Sequence, residues 1–263
     1  MSAPYVLEAL KLGKSFAGLA ALADVSVAIA PGELVGMIGA NGAGKTTFVN
    51  IVTGYVKPES GRVRFVGRDV THLPARALTR MGISRSFQVA QIFPELTALD
   101  NLLIALGAGL TRSFWRPLRR PELVSGALEA LERFGIADYR EYRATALPQG
   151  VRKLLDIAMA MSGAPKLVLL DEPTSGVSAD EKFPLMDTLL AALEPTGAGV
   201  LFVEHDMEIV ARYAHRVVAF HEGRVIADGA PAAVLADAQV QTYVTGAISG
   251  AVPAPGRMGD VRA

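Results

Sequence analysis

Apolar and polar residues alternate in two early segments of the chain, and this alternation predicts strands. Residues 60–66 change between polar and apolar side chains in steps of two, which is typical of a half-exposed strand. Residues 25–29 alternate apolar and small side chains before a Pro31-Gly32 turn. Together the two segments predict a small antiparallel sheet near the start of the chain.

Other apolar runs do not alternate. Residues 166–170 form a short run that is apolar after Lys166 and lies between turn residues, which suits a central parallel strand covered on both faces. Further strands are predicted at 34–38, 83–87 and 199–203, and a late hairpin at 216–221 and 224–227.

Helical signals fill the middle of the chain. Capping boxes predict helix starts at Thr97 and Ser178. Pro121 suits the first position of a helix that ends at Gly135, and another helix is predicted over residues 151–161.

The order of these elements predicts an α/β protein with a mainly parallel central sheet and an antiparallel β subdomain. The helices at about residues 90–162 interrupt the strand order, and we expect them to form a helical subdomain. One domain is expected over residues 1–245. Residues 246–263 are rich in Gly, Pro and Ala, and we expect a flexible tail there.

Composition narrows the classes of protein that fit. The 263 residues include 26 Lys and Arg and 26 Asp and Glu, so the net charge is zero and nothing indicates attraction to nucleic acid. The chain has no cysteine, which excludes disulfides and Cys-based metal sites. No secretory signal is recognisable at residues 1–14, and the uncharged stretch 238–256 is too polar to span a bilayer. We therefore expect any role at a membrane to depend on partner proteins.

A glycine-rich loop between a predicted strand and a predicted helix matches the pattern G-x-x-x-x-G-K-[ST]. It consists of Gly39, Ala40, Asn41, Gly42, Ala43, Gly44, Lys45, Thr46 and Thr47. Glycine lets the backbone bend tightly and bring its N–H groups to phosphate oxygens. Lys45 adds a charge for the β- and γ-phosphates, and Thr46 offers a hydroxyl to Mg²⁺. The alternative is a glycine-rich turn that matches by accident, but the flanking strand and helix favour a nucleotide site.

Two acids follow the strand over residues 166–170. Asp171 can hold Mg²⁺ through water, and Glu172 then faces the position from which a water attacks the γ-phosphate. Because burial disfavours both charges, two carboxylates make poor structural filler at a strand end. The alternative is a solvated loop after a strand.

Two more polar side chains follow predicted strands. The amide of Gln88 can reach both the metal and the attacking water, although it is equally an ordinary polar strand end. His205 follows the strand over residues 199–203, at the same sheet edge as the two acids. A lone histidine there is usually structural, but this position favours a contact with the γ-phosphate.

These motifs resemble the ATP-binding cassette (ABC) transporter ATPases over about residues 5–245. The matching parts, in family order, are Phe16, the loop 39–47, Gln88, a signature region at 147–151, Asp171 and Glu172, a D-loop at 175–178, and His205. Within that family, residues 87–97 and 203–207 are similar to the ATP-binding subunits of branched-chain amino-acid importers.

The resemblance implies a P-loop NTPase fold that binds ATP and Mg²⁺. Phe16 is expected to stack on the adenine, with a core phenylalanine as the alternative. The expected Mg²⁺ ligands are Thr46, Gln88 and Asp171.

The same resemblance implies that Glu172 is the general base of ATP hydrolysis, assisted by His205 and Gln88. Removing a positioned base typically slows a reaction by ~10²–10⁴-fold.

The signature region departs from the family pattern Leu-Ser-Gly-Gly-Gln, since this chain has Leu147-Pro148-Gln149-Gly150-Val151. Pro148 offers neither a hydroxyl nor an N–H. Gly150, at the start of a helix, can still present its N–H to an anion. In the family this segment contacts ATP held by the opposite subunit, so we expect that site to be weakened or asymmetric. Ser178 also departs, because an Asp is usual there.

The resemblance also implies partners. These are a second ABC ATPase subunit, identical or different, transmembrane permease subunits and, indirectly, a solute-binding protein, with the chain at the cytoplasmic face of the inner membrane. The expected function is to power import of branched-chain amino acids or related small polar or carboxylate solutes. One alternative is a soluble ATP-driven clamp of the same class, and another is a small-molecule kinase.

A basic stretch with two aromatic residues stands apart from these motifs. It comprises Arg112, Phe114, Trp115, Arg116, Arg119 and Arg120. A solvated face is the plain interpretation, and docking near a membrane partner is favoured over RNA because the net charge is zero.

Overall fold

The computed structural model describes residues 5–86, 92–110 and 117–244. Its strands, in chain order, are β1 (Leu7–Phe16), β2 (Leu19–Ile29), β3 (Leu34–Gly39), β4 (Ser60–Phe65), β5 (Arg68–Asp69), β6 (Ile83–Arg85), β7 (Leu167–Asp171), β8 (Gly199–Val203), β9 (Arg216–His221) and β10 (Arg224–Gly229). Its helices are α1 (Lys45–Val52), α2 (Ala75–Met81), α3 (Ala98–Leu110), α4 (Pro121–Arg133), α5 (Gln149–Met161), α6 (Ala179–Leu193), α7 (Met207–Tyr213), α8 (Pro231–Ala236) and α9 (Ala238–Tyr243). Short 3-10 turns lie at Ala137–Tyr139, Ala144–Ala146 and Glu194–Thr196.

The first sheet is antiparallel, with the strand order β2-β1-β4-β5. It contains the two early alternating segments, so the predicted antiparallel sheet is confirmed. The long strand β1 was not predicted. Its register against β2 shifts between Ala9 and Leu12, and Lys11 within that bulge has a φ of 50°. The bulge breaks the two-residue period that would have revealed the strand.

The second sheet has the order β10-β9-β3-β8-β7-β6, and all its neighbours are parallel except the β9–β10 hairpin. The predicted mainly parallel α/β fold is therefore confirmed. Leu167 to Leu170 are each 1% exposed or less, as expected for a strand covered on both faces. The strand predicted at 83–87 ends at Arg85, and residues 87–91 lie outside the described ranges.

Side chains alternate between two cores on opposite faces of this sheet. Val168 and Phe202 point to the face covered by α5 and α6. Leu169 and Leu201 point to the other face, where they share a core with Phe48 of α1 and with β1, β2 and β4. Both faces of β7 and β8 are filled by apolar side chains, and polar side chains come at the ends of these strands, at Asp171 and Glu204.

The helices α3, α4 and α5 lie between β6 and β7 in the chain. The capping box ahead of α3 is present, because Asp100 N–H donates to Thr97 Oγ1 over 3.0 Å. Helix α5 begins at Gln149, earlier than the predicted start at residue 151, and Pro148, with a ψ of 153°, is its cap. Among the described helices, none has both the length and the apolar character to cross a membrane. The predicted tail, 246–263, lies outside the described residues.

Candidate nucleotide-binding and hydrolysis site

The glycine-rich loop joins the end of β3 to the start of α1, and its glycines carry positive φ angles. These are 154° at Gly39, 80° at Gly42 and 105° at Gly44. A Cβ on Gly39 would lie 2.6 Å from the carbonyl oxygen of Phe220, and one on Gly44 would lie 2.6 Å from that of Ala21. The tight bend predicted from the sequence thus requires glycine for its backbone angles and, at two positions, for its lack of a side chain.

The loop presents the start of α1 as an anion site. The N–H of Phe48 donates to Gly44 O over 2.9 Å, which closes the first helical turn. Because the first N–H groups of a helix have no partner inside it, those of Lys45, Thr46 and Thr47 are directed back over the loop. Together with the positive end of the helix dipole they form a site for phosphate oxygens.

Lys45 lies inside the loop and is only 6% exposed. Its Nζ donates to Gly39 O over 2.5 Å and to Ala40 O over 3.1 Å. Burial lowers the pKa of Lys45, while the charges of Glu172 and Asp171 act in the opposite direction. The loop lysine and the two strand-end carboxylates are therefore close enough to interact, although they are far apart in the chain.

The two acids occupy the carboxyl end of β7. Asp171 is the last residue of the strand and pairs with Val203 of β8. The N–H of Glu172 donates to Val203 O over 3.0 Å, and Glu172 has a φ of 50°. A non-glycine residue in left-handed backbone is strained, and such residues are concentrated at functional sites. His205 Nε2 lies 3.3 Å from Glu172 Oε1, so the sheet joins two predicted catalytic side chains directly.

Neighbours on both sides fix the backbone at His205. Asp206 caps α7 by accepting from the N–H of Glu208 over 3.0 Å. Lys182 Nζ donates to Asp206 Oδ2 over 2.8 Å, and this bond raises the pKa of Lys182 and lowers that of Asp206. The histidine is therefore held between the end of β8 and a capped helix.

A buried carboxylate ties His205 to the loop after β7. Glu204 is 4% exposed, and its Oε1 accepts from the N–H of Thr174 over 2.9 Å and from its Oγ1 over 2.7 Å. A cleft of about 260 Å³ opens beside this contact. Its lining consists of Glu172, Thr174, Ser175, Gly176, Val177, Lys182, Glu204, His205 and Asp206.

The donor set fits Mg²⁺ bound together with a nucleotide. Asp171 brings a carboxylate and Thr46 a hydroxyl, both oxygen ligands of the kind Mg²⁺ prefers. Within the described ranges, no group of three or more His, Asp or Glu could enclose a metal ion. Mg²⁺ in nucleotide sites commonly uses one or two carboxylates together with phosphate oxygens and water, so this sparse set is suitable. The predicted third ligand, Gln88, lies outside the described residues.

Two more predicted site residues lie at element ends. Phe16 is the last residue of β1 and is 49% exposed, so the alternative of a core phenylalanine is wrong. Lys14 Nζ lies 5.3 Å from the centroid of its ring. Gly150 lies in the first turn of α5, where its N–H has no helical partner. The side chain of Gln149 packs against Gly176, so this variant signature contacts the D-loop of its own chain.

Arg85 was not predicted as a site residue. Its Nη2 lies 2.9 Å from Asp171 Oδ2, and its Nη1 lies 2.6 Å from Asn50 Oδ1. A basic residue shortly before Gln88 was the only local signal, and it does not reveal which acid the arginine meets. Of the basic stretch, Arg112, Phe114, Trp115 and Arg116 lie outside the described residues, while Arg119 pairs with Asp100 over 2.8 Å.

The fold and this site define a P-loop ATPase of the cassette type. The family model for ABC transporters matches residues 22–175. A probable branched-chain amino acid transport ATP-binding protein, LivG of Archaeoglobus fulgidus, is 34% identical over 247 residues, covering 92% of this chain and 96% of the relative. The high-affinity branched-chain amino acid transport ATP-binding protein BraF of Pseudomonas aeruginosa is 34% identical, covering 88% and 93%.

Solved structures agree with these relatives. The ATP-binding cassette MJ1267 of an ABC transporter has a TM-score of 0.83 at 31% identity, over 91% of this chain and 98% of that one. The ATP-binding cassette MJ0796, solved as a dimer in a post-hydrolysis state with ADP and Pi, has a TM-score of 0.73 at 25% identity, over 86% and 98%. The chain belongs to the ABC transporter family and is one of its ATPases, as the resemblance predicted.

Proposed function

We propose that this chain powers an importer of branched-chain amino acids or related small polar or carboxylate solutes. The names of the LivG and BraF relatives, matched over most of their length, support this cargo class. The observation that carries the catalytic part is the contact of Glu172 with His205 at a sheet edge within electrostatic reach of Lys45.

In this proposal the loop 39–47 holds the phosphates of ATP. The N–H groups at the start of α1 bond to phosphate oxygens, and Lys45 exchanges its contacts with loop carbonyls for contacts with the β- and γ-phosphates. Thr46 and Asp171, with the predicted ligand Gln88, would hold Mg²⁺. When bound, the metal ion neutralises charge that develops on the phosphates. Phe16, exposed at the end of β1, stacks on the adenine.

Glu172 acts as the general base. Its carboxylate accepts a proton from the water that attacks the γ-phosphate, and the products are ADP and inorganic phosphate. His205 holds the Glu172 carboxylate in place through Nε2 and contacts the γ-phosphate. The buried Glu204 and the capping Asp206 fix the backbone on either side of the histidine.

The chain is proposed to work as a dimer with a second cassette, identical or different. Gly150 then presents its N–H to ATP held by the partner subunit. Pro148 lacks the hydroxyl of the usual signature, and the Gln149 side chain is engaged with Gly176. Both features favour a weaker composite site on this side of the dimer, whether the second cassette is identical or different.

Dimer closure is proposed to drive permease subunits at the cytoplasmic face of the inner membrane, with the chain bound peripherally. A solute-binding protein then selects the cargo. The chain contributes no specificity for the solute in this arrangement, because its site recognises ATP.

The catalytic part is tested with Glu172→Gln. This variant should bind Mg·ATP, hydrolyse it ~10²–10⁴-fold more slowly, and accumulate as an ATP-dependent dimer that light scattering detects after size-exclusion chromatography. The double variant Lys45→Ala with Glu172→Gln is the matched control and should stay monomeric. Normal turnover by Glu172→Gln would remove this residue as the base.

The transport part is tested in cells that lack the chain. Uptake of labelled leucine, isoleucine and valine should fall, the wild-type chain should restore it, and Glu172→Gln should not. Unchanged uptake of all three amino acids, with the chain in the soluble fraction, would contradict the importer proposal and leave the ATPase intact.

A further inference from the structure

Arg85 connects three elements that surround the metal position. It ends β6, and its two terminal nitrogens diverge to Asp171 at the end of β7 and to Asn50 on α1. The side chains of Arg85 and Asp171 are 9% and 17% exposed, so water screens this ion pair weakly. Strands β6 and β7 pair in parallel with Arg85 opposite Leu169, and the arginine therefore reaches forward along β7 to the acid.

The far end of the bridge lies on the helix that carries Thr46. Thr46 and Asn50 are four residues apart on α1, so they share one face of the helix, one turn apart. The connection from Asn50 through Arg85 to Asp171 thus spans the same two elements, α1 and β7, as the proposed metal ligands. A fixed bridge between these elements sets the distance between the Thr46 hydroxyl and the Asp171 carboxylate.

The bridge also gives the two oxygens of the Asp171 carboxylate different roles. Its Oδ2 is engaged by Arg85 at 2.9 Å, which directs Oδ1 to other ligands. A planar guanidinium holds its donors in a fixed fork, so one arginine can serve two separate acceptors. The ring of Tyr55 lies 5.9 Å from the guanidinium carbon and covers it further.

We propose that Arg85 is a positioning residue for the metal: it holds Asp171 in the orientation, and at the distance from Thr46, that Mg²⁺ requires. This rests on the proposed role of Asp171 as a metal ligand. Partners that orient a metal ligand commonly affect metal affinity by ~10–100-fold when they are replaced.

The test measures binding of a fluorescent ATP analogue, in EDTA and across a Mg²⁺ titration, without reference to turnover. For Arg85→Met we expect affinity in EDTA within about twofold of wild type, and a Mg²⁺ concentration for half-maximal tightening that is raised by ~10–100-fold. Arg85→Lys keeps the charge but not the fork and should share this loss. Arg133→Met, which removes an exposed arginine paired with Glu129 on α4, is the control and should leave both quantities unchanged.

A second comparison separates positioning from general damage. In an Asp171→Asn background, adding Arg85→Met should not raise the Mg²⁺ requirement further, because the residue it acts through is already changed. The proposal is overturned if Arg85→Met leaves the Mg²⁺ requirement unchanged, or if it weakens binding in EDTA as much as it does in Mg²⁺. If Arg85→Met does not fold, Asn50→Ala, which frees one arm of the bridge, must raise the requirement, and no change there also overturns it. If Mg²⁺ does not change the affinity of the wild-type protein for the ATP analogue, the proposed metal site is wrong, and so is the role of Arg85.

Discussion

The imidazole of His205 and the carboxylate of Glu172 meet at the ends of adjacent parallel strands, with Nε2 lying 3.3 Å from Oε1. Each residue follows a buried strand directly or after one residue, and each has a second anchor. For Glu172 it is the backbone bond to Val203, and for His205 it is the capped helix behind Asp206. The backbone of both residues is thereby fixed before any ligand contributes.

His205→Ala should slow ATP hydrolysis by roughly 10²-fold with little change in ATP affinity, because Glu172 loses the group that orients it. Combined with Glu172→Gln, it should slow turnover no further than Glu172→Gln alone, since the two residues act as a unit. Steady-state phosphate release measures both effects. His72→Ala, an exposed loop histidine, serves as the control, and additive losses in the double variant would mean that the two residues act separately.

Lys45→Ala should weaken ATP binding by at least about tenfold, since it removes a charged hydrogen bond to the phosphates. The unliganded variant should unfold near the wild-type temperature, because burial already disfavours the Lys45 charge, as its lowered pKa indicates. Isothermal titration calorimetry and a thermal melt measure the two quantities. Lys57→Ala provides an exposed lysine for comparison, and unchanged ATP affinity in Lys45→Ala would exclude the loop as the phosphate site.

Gly42 and Gly44 offer a matched pair within the loop. Both have left-handed backbone, but a Cβ at Gly42 meets nothing within 4 Å, whereas one at Gly44 would lie 2.6 Å from Ala21 O. Gly42→Ala should therefore lower the free energy of unfolding by about 1–2 kcal/mol, the strain of the backbone alone. Gly44→Ala should lower it by clearly more, because backbone atoms must also move apart. Equal losses in urea denaturation would show that the clash is relieved at no energetic cost.

The Lys182–Asp206 contact should give stability a defined pH window. The pKa of Asp206 is lowered by this bond, so its contribution is present above the ordinary value of 3.8 and is lost as the pH falls through the folded-state pKa. The pKa of Lys182 is raised, so its contribution is present below 10.5 and is lost as the pH rises through the folded-state pKa.

Lys182→Met should accordingly lower the free energy of unfolding by roughly 0.2–1 kcal/mol at neutral pH, and the difference from wild type should vanish in acid below the folded-state pKa of Asp206. Asp206→Asn is the matched variant, since it keeps an acceptor for the α7 cap but not the charge. A difference between wild type and Lys182→Met that persists unchanged in strong acid would argue that lost packing, not charge, is responsible.

The sequence predicts those parts of the site whose residues are consecutive in the chain. The whole loop motif lies within residues 39–47. Asp171 and Glu172 directly follow an apolar run that predicts a buried strand. Parallel strands bring their carboxyl ends to one edge, so the meeting of these acids with Lys45 and His205 follows from the fold class. The roles assigned to these side chains stay predictions until the variants above are measured.

The bridge through Arg85 could not be predicted in the same way. Arg85 and Asp171 are 86 residues apart, and Arg85 and Asn50 are 35 apart. Their contact depends on β6 lying beside β7, and no local pattern of β6 specifies that neighbour. Strand β1 was missed because its bulge interrupts the alternation of side chains along the sequence. The pairing of β1 with β2 nevertheless continues on both sides of the bulge.

The left-handed backbone at Glu172 places a limit on how this protein can be made more heat-resistant. Asparagine tolerates such angles better than glutamate does, so a search for stabilising substitutions would favour the exchange at this position. The gain would remove the carboxylate that we propose as the general base. At this residue thermal stability and the proposed catalytic role are in conflict. Stabilising substitutions therefore have to be sought elsewhere in the chain.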